Sequence, residues 1–229
     1  MKRPGETIVR IGLFGGSFNP VHFGHLRVAR EVVDRFGLKK MMFVPSAVPP
    51  HKPTTHMASA ADRLEMVRLA AGLDSTFRVS DVELKRAGRS YTIDTVRHFM
   101  DRAGDDQELH LVMGMDAFLE IDTWKAYDDL LQLVPLIVMT RPAGRGDPSP
   151  SAGAAIERFM QGRLSAKYRF SPAERCYIHP FRQRIYVSEV SALGISGTQI
   201  RRLVSEKQSI RFLVPPAVED YIYAEGLYL

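Results

Sequence analysis

Residues 15–25, Gly15-Gly16-Ser17-Phe18-Asn19-Pro20-Val21-His22-Phe23-Gly24-His25, hold the side chains best suited to chemistry on an anion. His22 and His25 stand three apart, so a helix that begins near His22 carries both on one face. The unbonded N–H groups and the dipole at such a helix start form an anion site. Two imidazoles above it can hydrogen-bond phosphate oxygens and neutralise charge as it builds. Gly15 and Gly16 permit a tight turn, and Gly24 would let a phosphate approach the backbone closely. Two common nucleotide patterns fail: GxxxxGK[ST] occurs nowhere, and no GxGxxG follows the first strand. Zinc is the alternative use of two histidines. It needs at least three protein ligands, and His51, His56, His98, His110 and His179 form no cluster in sequence.

Two further segments could act on the same ligand. Pro45-Ser46-Ala47-Val48-Pro49-Pro50-His51-Lys52 is restricted by its prolines, which hold His51 and Lys52 at a mouth rather than in a core. Lys52 is a natural phosphate partner; an exposed, solvated lysine is the plain alternative. In Ile195-Ser196-Gly197-Thr198-Gln199-Ile200-Arg201, Ser196 or Thr198 can cap a helix, and Arg201 lies one turn in. Capping explains the hydroxyls, and the first motif suggests a second phosphate site at the same helix start. Cys176 lies outside these segments, and no Ser–His–Asp set is evident.

These segments need elements to position them. Residues 8–14 form an apolar run ending at Gly15-Gly16, which predicts a buried strand. Leu26, Val28, Ala29, Val32, Val33 and Phe36 recur at helical spacing before Gly37. Further strands are predicted over 40–44, 77–84, 109–113 and 135–140, with a last one ending at Val187. Further helices are predicted over 60–71, 92–103, 152–160, 196–204 and 216–225. Residues 45–57, with four prolines, and the Pro-, Gly- and Ser-rich stretch 141–151 read as loops. Strands alternating with helices predict an α/β fold with a mostly parallel sheet and right-handed crossovers. Ligands in such sheets bind at the carboxyl ends of the strands. Segments 15–25, 45–52 and 114–124 each follow a strand, so one shared cleft is expected.

The chain has 229 residues, 45 % of them apolar and 25 % charged, which excludes a disordered, collagenous or coiled-coil whole. A single cysteine excludes a disulfide scaffold and a multi-cysteine zinc site, and fits a reducing cytoplasm. The apolar stretch 130–139 is too short to span a bilayer and contains Gln132 and Pro135; residues 1–10 lack a signal-peptide run. A soluble cytoplasmic protein without membrane attachment is expected. The net charge of +5 is concentrated: residues 158–184 hold seven Lys and Arg against one acid. With Tyr168, Phe170, Tyr177 and Phe181 interleaved, that stretch could bind nucleic acid or phosphates. A solvated face with its aromatics packed beneath is the ordinary reading, and nucleic acid is not expected as a partner.

The segment GGSFNPVHFGH with its HxGH core, together with ISGTQIR, resembles the HxGH nucleotidyltransferase superfamily. The segments PPHK, Arg89-Ser90-Tyr91-Thr92, Gly114-Met115-Asp116 and Asp122-Thr123-Trp124, and the ending Glu225-Gly226-Leu227-Tyr228, narrow the likeness to the bacterial nicotinate-nucleotide adenylyltransferases. The resemblance runs in order from about Ile8 to Leu229. It implies a Rossmann-like, doubly wound sheet with helices on both faces, in one domain over 1–229. A core of about 1–190 would carry the basic insertion of about 144–184, and residues of about 191–229 would form a small helical part. It also implies a reaction: ATP and nicotinate mononucleotide give deamido-NAD and pyrophosphate. By matching motif, His22 and His25 would contact the ATP phosphates, and Gly15, Gly16, Ser17, Phe18 and Gly24 would line the nucleotide. Ser196, Thr198 and Arg201 would hold the pyrophosphate end. Tyr91, Thr92, Trp124 and Lys125 would bind the nicotinate, with Trp124 stacked on the ring. Asp116 would sit near the sugars, and Lys52 and Arg141 would address the mononucleotide phosphate. Three positions depart from the commonest pattern: Asn19 for Asp, Gly197 for Ser or Thr, and Ser46 for Asn.

The nucleophile implied is a phosphate oxygen, already anionic because a monoester's second pKa is about 6. No protein base is required, and Mg2+ should ride on the ATP phosphates, with no protein metal site. Nicotinate rather than nicotinamide is expected, through loop N–H donors near Thr92 and near Trp124–Lys125 facing a carboxylate. A homodimer is left open. A sibling transferase acting on nicotinamide mononucleotide or phosphopantetheine is the nearest alternative, and a non-catalytic nucleotide- or RNA-binding module is the other.

Overall fold

A computed structural model describes residues 8–48, 57–142 and 152–229. Strand β1 (Val9–Gly16) is buried through Ile11–Phe14 and ends on its two glycines. Helix α1 (Phe23–Phe36) follows and buries Leu26, Ala29, Val32 and Val33. Gly37 ends it with φ 60°, a left-handed cap that glycine adopts without strain. Strand β2 (Lys40–Pro45), helix α2 (Ala60–Ala71) and strand β3 (Phe77–Val79) come next. Helix α3 (Thr92–Met100) leads to strand β4 (Gln107–Gly114), the short helix α4 (Met115–Phe118) and a 3-10 turn at Ile121–Thr123. Helix α5 (Tyr127–Leu133) and strand β5 (Leu136–Thr140) complete the middle of the chain. Helix α6 (Ala152–Phe159) runs into a π-helical turn at Met160–Leu164. Strands β6 (Arg169–Ser171), β7 (Cys176–Ile178) and β8 (Ile185–Glu189) precede helices α7 (Gly197–Ser205) and α8 (Pro216–Ala224).

The strands form one eight-stranded sheet in the order β3-β2-β1-β4-β5-β8-β7-β6. The pairs β2–β3, β4–β5 and β5–β8 are parallel, whereas β7–β8 and β6–β7 are antiparallel. The expected α/β, mostly parallel, Rossmann-like architecture is therefore present. All five residues of β5 are buried, as a central strand covered on both faces must be. The chain order reverses at β1, whose end carries Gly15-Gly16.

The chain divides into two compact units, and β1 contributes to both. The first holds the chain up to Leu13 and Thr92–Ser191; the second holds Phe14–Tyr91 and Ala192–Leu229. The core of the first includes Val112, Phe118, Leu130, Ile137 and Ile156, each at most 1 % exposed. That of the second includes Val21, Val32, Phe43, Met66, Ile200 and Val218, all fully buried.

Two predicted elements come out shorter. The strand expected over 77–84 stops at Val79. Lys85 N–H bonds the Asp81 carbonyl at 3.1 Å and Lys85 Nζ pairs with Asp81 at 3.0 Å, closing a turn. Val82 and Glu83 are both buried there, which no alternating strand allows. The helix expected over 92–103 ends at Met100, where i→i−3 bonds from Arg102 and Ala103 tighten the chain. Helices α4 and α5 and the β6–β7 hairpin fall where no element was predicted. Each is too short for hydrophobic periodicity to register.

Candidate active site

In the second unit, β1 delivers the chain into the turn that presents both histidines. His22 is the N-cap of α1 with extended backbone, φ −150° and ψ 168°. Its carbonyl accepts the His25 N–H at 2.9 Å, and its N–H donates to His25 Nδ1 at 3.3 Å. A ring nitrogen that accepts is deprotonated, so neutral His25 carries its proton on Nε2, which becomes the donor end of the ring. The two imidazoles stack, with centroids 3.7 Å apart and planes at 29°. His22 is buried and His25 half-buried. Phe18 stands edge-on to His25 at 5.1 Å. Its backbone is left-handed, φ 45°, and its buried ring packs on Phe14 and Phe43, offsetting that strain.

The glycines serve this packing. A Cβ on Gly16 would lie 3.0 Å from the Phe18 ring. A Cβ on Gly24 would lie 2.9 Å from His22 Nδ1, so the imidazole occupies the side of Gly24 where a side chain would start. Gly15 is exposed with open space around its Cβ position, and Ser17 beside it is half-buried.

The second predicted helix start lies against the same turn, within the same unit. Ser196 caps α7, its Oγ accepting the Gln199 N–H at 3.1 Å. Arg201 donates from Nη1 to the Asn19 carbonyl at 2.7 Å and from Nη2 to Thr198 Oγ1 at 3.2 Å. A Cβ on Gly197 would come within 2.7 Å of that same carbonyl, closer than a side chain fits unless the backbone shifts. Asn19 Oδ1 accepts the Ala58 N–H at 3.1 Å and the Tyr228 hydroxyl at 2.7 Å.

Arg63 is a positioning residue that the sequence reading missed. It is 1 % exposed and donates to the carbonyls of Ala58, Ser17, Ser46 and Ala47 at 2.7–3.1 Å. It thereby ties the turn after β1 to the loop after β2. Burial pushes its pKa below the ordinary guanidinium value. The signal was its phase: Arg63 falls on the α2 face that buries Met66, Val67 and Ala70. Ser90 holds the same loop from another side, its Oγ accepting the Ala47 N–H at 2.9 Å. Tyr91 beside it is half-buried. His51 and Lys52 lie outside the described residues.

The other predicted contacts belong to the first unit. Thr92 opens α3, and Asp116, exposed, sits in α4 directly after β4. Lys125 Nζ pairs with Asp94 of the first turn of α3 at 3.0 Å, which brings the Trp124–Lys125 segment to Thr92's helix. Trp124 is half-buried, and its main-chain N–H donates to the Ile121 carbonyl at 3.0 Å. Arg141 is exposed just past the end of β5.

Three of the seven basic residues of the stretch form ion pairs: Arg163 with Asp122 and Arg182 with Asp128, both outside it, and Arg184 with Glu174 at 2.6 Å. Tyr168 is fully buried and Tyr177 nearly so, whereas Phe170 and Phe181 are exposed. Among the described residues, no group of three or more His, Cys, Asp or Glu is placed to hold a metal ion. Among the same residues, no helix is long and apolar enough to cross a membrane.

The profile of the cytidylyltransferase-like family matches residues 13–203. The chain is 40 % identical over 223 residues to a Desulfatibacillum aliphaticivorans protein named a probable nicotinate-nucleotide adenylyltransferase, covering 96 % of this chain and 100 % of that one. Proteins of the same name from Geobacter sp. strain M21 and Moorella thermoacetica are each 40 % identical; the matches cover 96 % and 99 % of this chain, and 99 % and 93 % of those. Among solved structures, Plasmodium falciparum nicotinic acid mononucleotide adenylyltransferase complexed with NaAD matches with a TM-score of 0.70 at 17 % identity, over 96 % of this chain and 97 % of that one. The same enzyme complexed with APC gives 0.68 at 16 % identity, over the same shares of the two chains. At those identities the structural likeness speaks for the fold.

Proposed function

Because the chain belongs to the cytidylyltransferase-like family, and within it to the nicotinate-nucleotide adenylyltransferases, we propose that it transfers the adenylyl group of ATP to nicotinate mononucleotide, giving nicotinate adenine dinucleotide and pyrophosphate in NAD biosynthesis. The observation that carries this reading within the molecule is the pair of helix starts held together through Asn19. One bears His22 and His25, and the other bears Ser196, Thr198 and Arg201.

The acceptor phosphate is dianionic near neutral pH, since its second pKa is about 6, so no protein base has to remove a proton. One of its oxygens attacks the α-phosphorus of ATP. The bond from that phosphorus to the bridging oxygen breaks, and pyrophosphate leaves with the electron pair. The protein's task is to bring two polyanions into line and to stabilise the charge on the transferring group. We assign Gly15, Gly16, Ser17, Phe18 and Gly24 to the shape of the nucleotide turn, and His22 and His25 to the phosphates. His25 Nε2–H is the donor end for that purpose. Arg201 is oriented by Asn19 and Thr198, and its other N–H groups address the departing pyrophosphate, with the start of α7 beside it. Magnesium enters as part of the substrate, carried on the triphosphate. Tyr91, Thr92, Asp116, Trp124, Lys125 and Arg141, with Lys52, are assigned to the pyridine nucleotide, with Trp124 stacking on its ring.

Asp94 offsets the charge of Lys125, so preference for the acid rests on main-chain donors at the start of α3 and at Lys125. A carboxylate satisfies such donors, whereas an amide turns its NH2 toward them. The test is pyrophosphate release from magnesium-ATP with nicotinate mononucleotide and nicotinamide mononucleotide in parallel. Release with the acid alone is expected. Equal kcat/KM for both removes the selectivity argument, and release with neither overturns the assignment.

A further inference from the structure

We propose that Tyr228 is a positioning residue of the transfer site, acting through Asn19 to hold the His22–His25 turn in its ATP-binding form. This rests on the transferase reading above. The Tyr228 hydroxyl lies 2.7 Å from Asn19 Oδ1. The Ala58 N–H reaches the same atom at 3.1 Å, so that atom is an acceptor and the phenol must be the donor. The Asn19 carbonyl takes Arg201 at 2.7 Å, with Gly197 seated against it. Chain positions 58, 201 and 228 thus meet on one residue three places before His22. Tyr228 adopts left-handed backbone, φ 67°, a conformation that costs a residue bearing a Cβ and persists where the surroundings hold it. Burial pushes its phenol far above the ordinary range, against the pull of Arg201 and Arg63, so it stays a protonated donor at neutral pH. Nothing in this geometry places the phenol on substrate. Its effect passes through the turn.

The test uses Tyr228→Phe, which keeps the ring and removes the hydroxyl donor. The readouts are the Kd for α,β-methylene-ATP, kcat, the KM for nicotinate mononucleotide, and Tm. Tyr228→Phe is expected to weaken analogue binding and lower kcat about three- to tenfold, the range of one lost neutral hydrogen bond. The KM for nicotinate mononucleotide should stay within about twofold, since those contacts are made by other residues. Unchanged analogue affinity and kcat in Tyr228→Phe would overturn the proposal, as would a parallel loss of all parameters with Tm. If the wild-type protein binds the analogue but releases no pyrophosphate with nicotinate mononucleotide, the acceptor assignment fails, and analogue affinity still decides the role of Tyr228. A wild-type protein that does not bind the analogue overturns both.

Discussion

His25 has two duties in the turn after β1. Its Nδ1 accepts the His22 N–H, which sets the tautomer and puts the proton of the neutral ring on Nε2, the donor that the proposed phosphate contact uses. His25→Ala removes both, and kcat should fall roughly 100- to 1000-fold, the scale of one preorganised transition-state donor. Steady-state pyrophosphate release by the folded variant checks this; near-normal turnover would remove His25 from the proposed mechanism. Gly197 is a residue-scale case of shape. A Cβ there would press within 2.7 Å of the Asn19 carbonyl, which is backbone and cannot swing aside. Gly197→Ser should therefore destabilise the protein by about 1–3 kcal/mol, read as a lower urea midpoint at an unchanged m-value.

Helix α2 shows how one element can set loops it does not contain. Its buried face would read as ordinary core but for Arg63, whose guanidinium satisfies four loop carbonyls. Half-buried carbonyls that lose their donor are costly, so Arg63→Met should destabilise by about 1–3 kcal/mol. A smaller loss in urea denaturation would mean that water takes over the carbonyls. Helix α1 works locally by contrast. Its N-cap, its apolar stripe and its Gly37 cap all lie in one contiguous segment.

The whole molecule carries a pH dependence away from the candidate site. His110 on β4 is 3 % exposed, and burial pushes its pKa below the usual value; Glu108 pulls it up and Arg10 pushes it down. His179 is shifted the same way, by burial first and by Arg182 and Lys167 next. The unfolded chain binds a proton at histidine near pH 6.5, before the folded chain does. Stability is therefore full above about pH 6.5 and falls as pH drops through the lower folded-state pKa values. The lowered carboxylates Asp74 and Asp81 lose their contribution in a separate window, below about pH 4. Urea unfolding at about pH 7, 6 and 5 should show the decline, and His110→Gln should flatten it. Equal slopes for the two proteins would remove His110 as its source.

The local parts of this protein were determined by sequence alone. Strand β1, helices α1, α2, α7 and α8 and the histidine pair are written in contiguous residues through periodicity, caps and glycines. The alternation of strand and helix was enough for a mostly parallel sheet. Helices α4 and α5 and strands β6 and β7, each three to seven residues long, escaped, because so few positions cannot establish a period. The tertiary structure decided what the glycines are for. Gly24 makes room for the His22 ring and Gly197 for the Asn19 carbonyl, and neither neighbour can be inferred from spacing. It also decided that Arg63, Ser90 and Tyr228 hold the turn and loop. Their partners lie between 16 and 209 positions away along the chain, apart from the local Arg63–Ala58 bond. Hydrogen bonds of that reach depend on how the backbone folds back on itself, and no local pattern of residues encodes it.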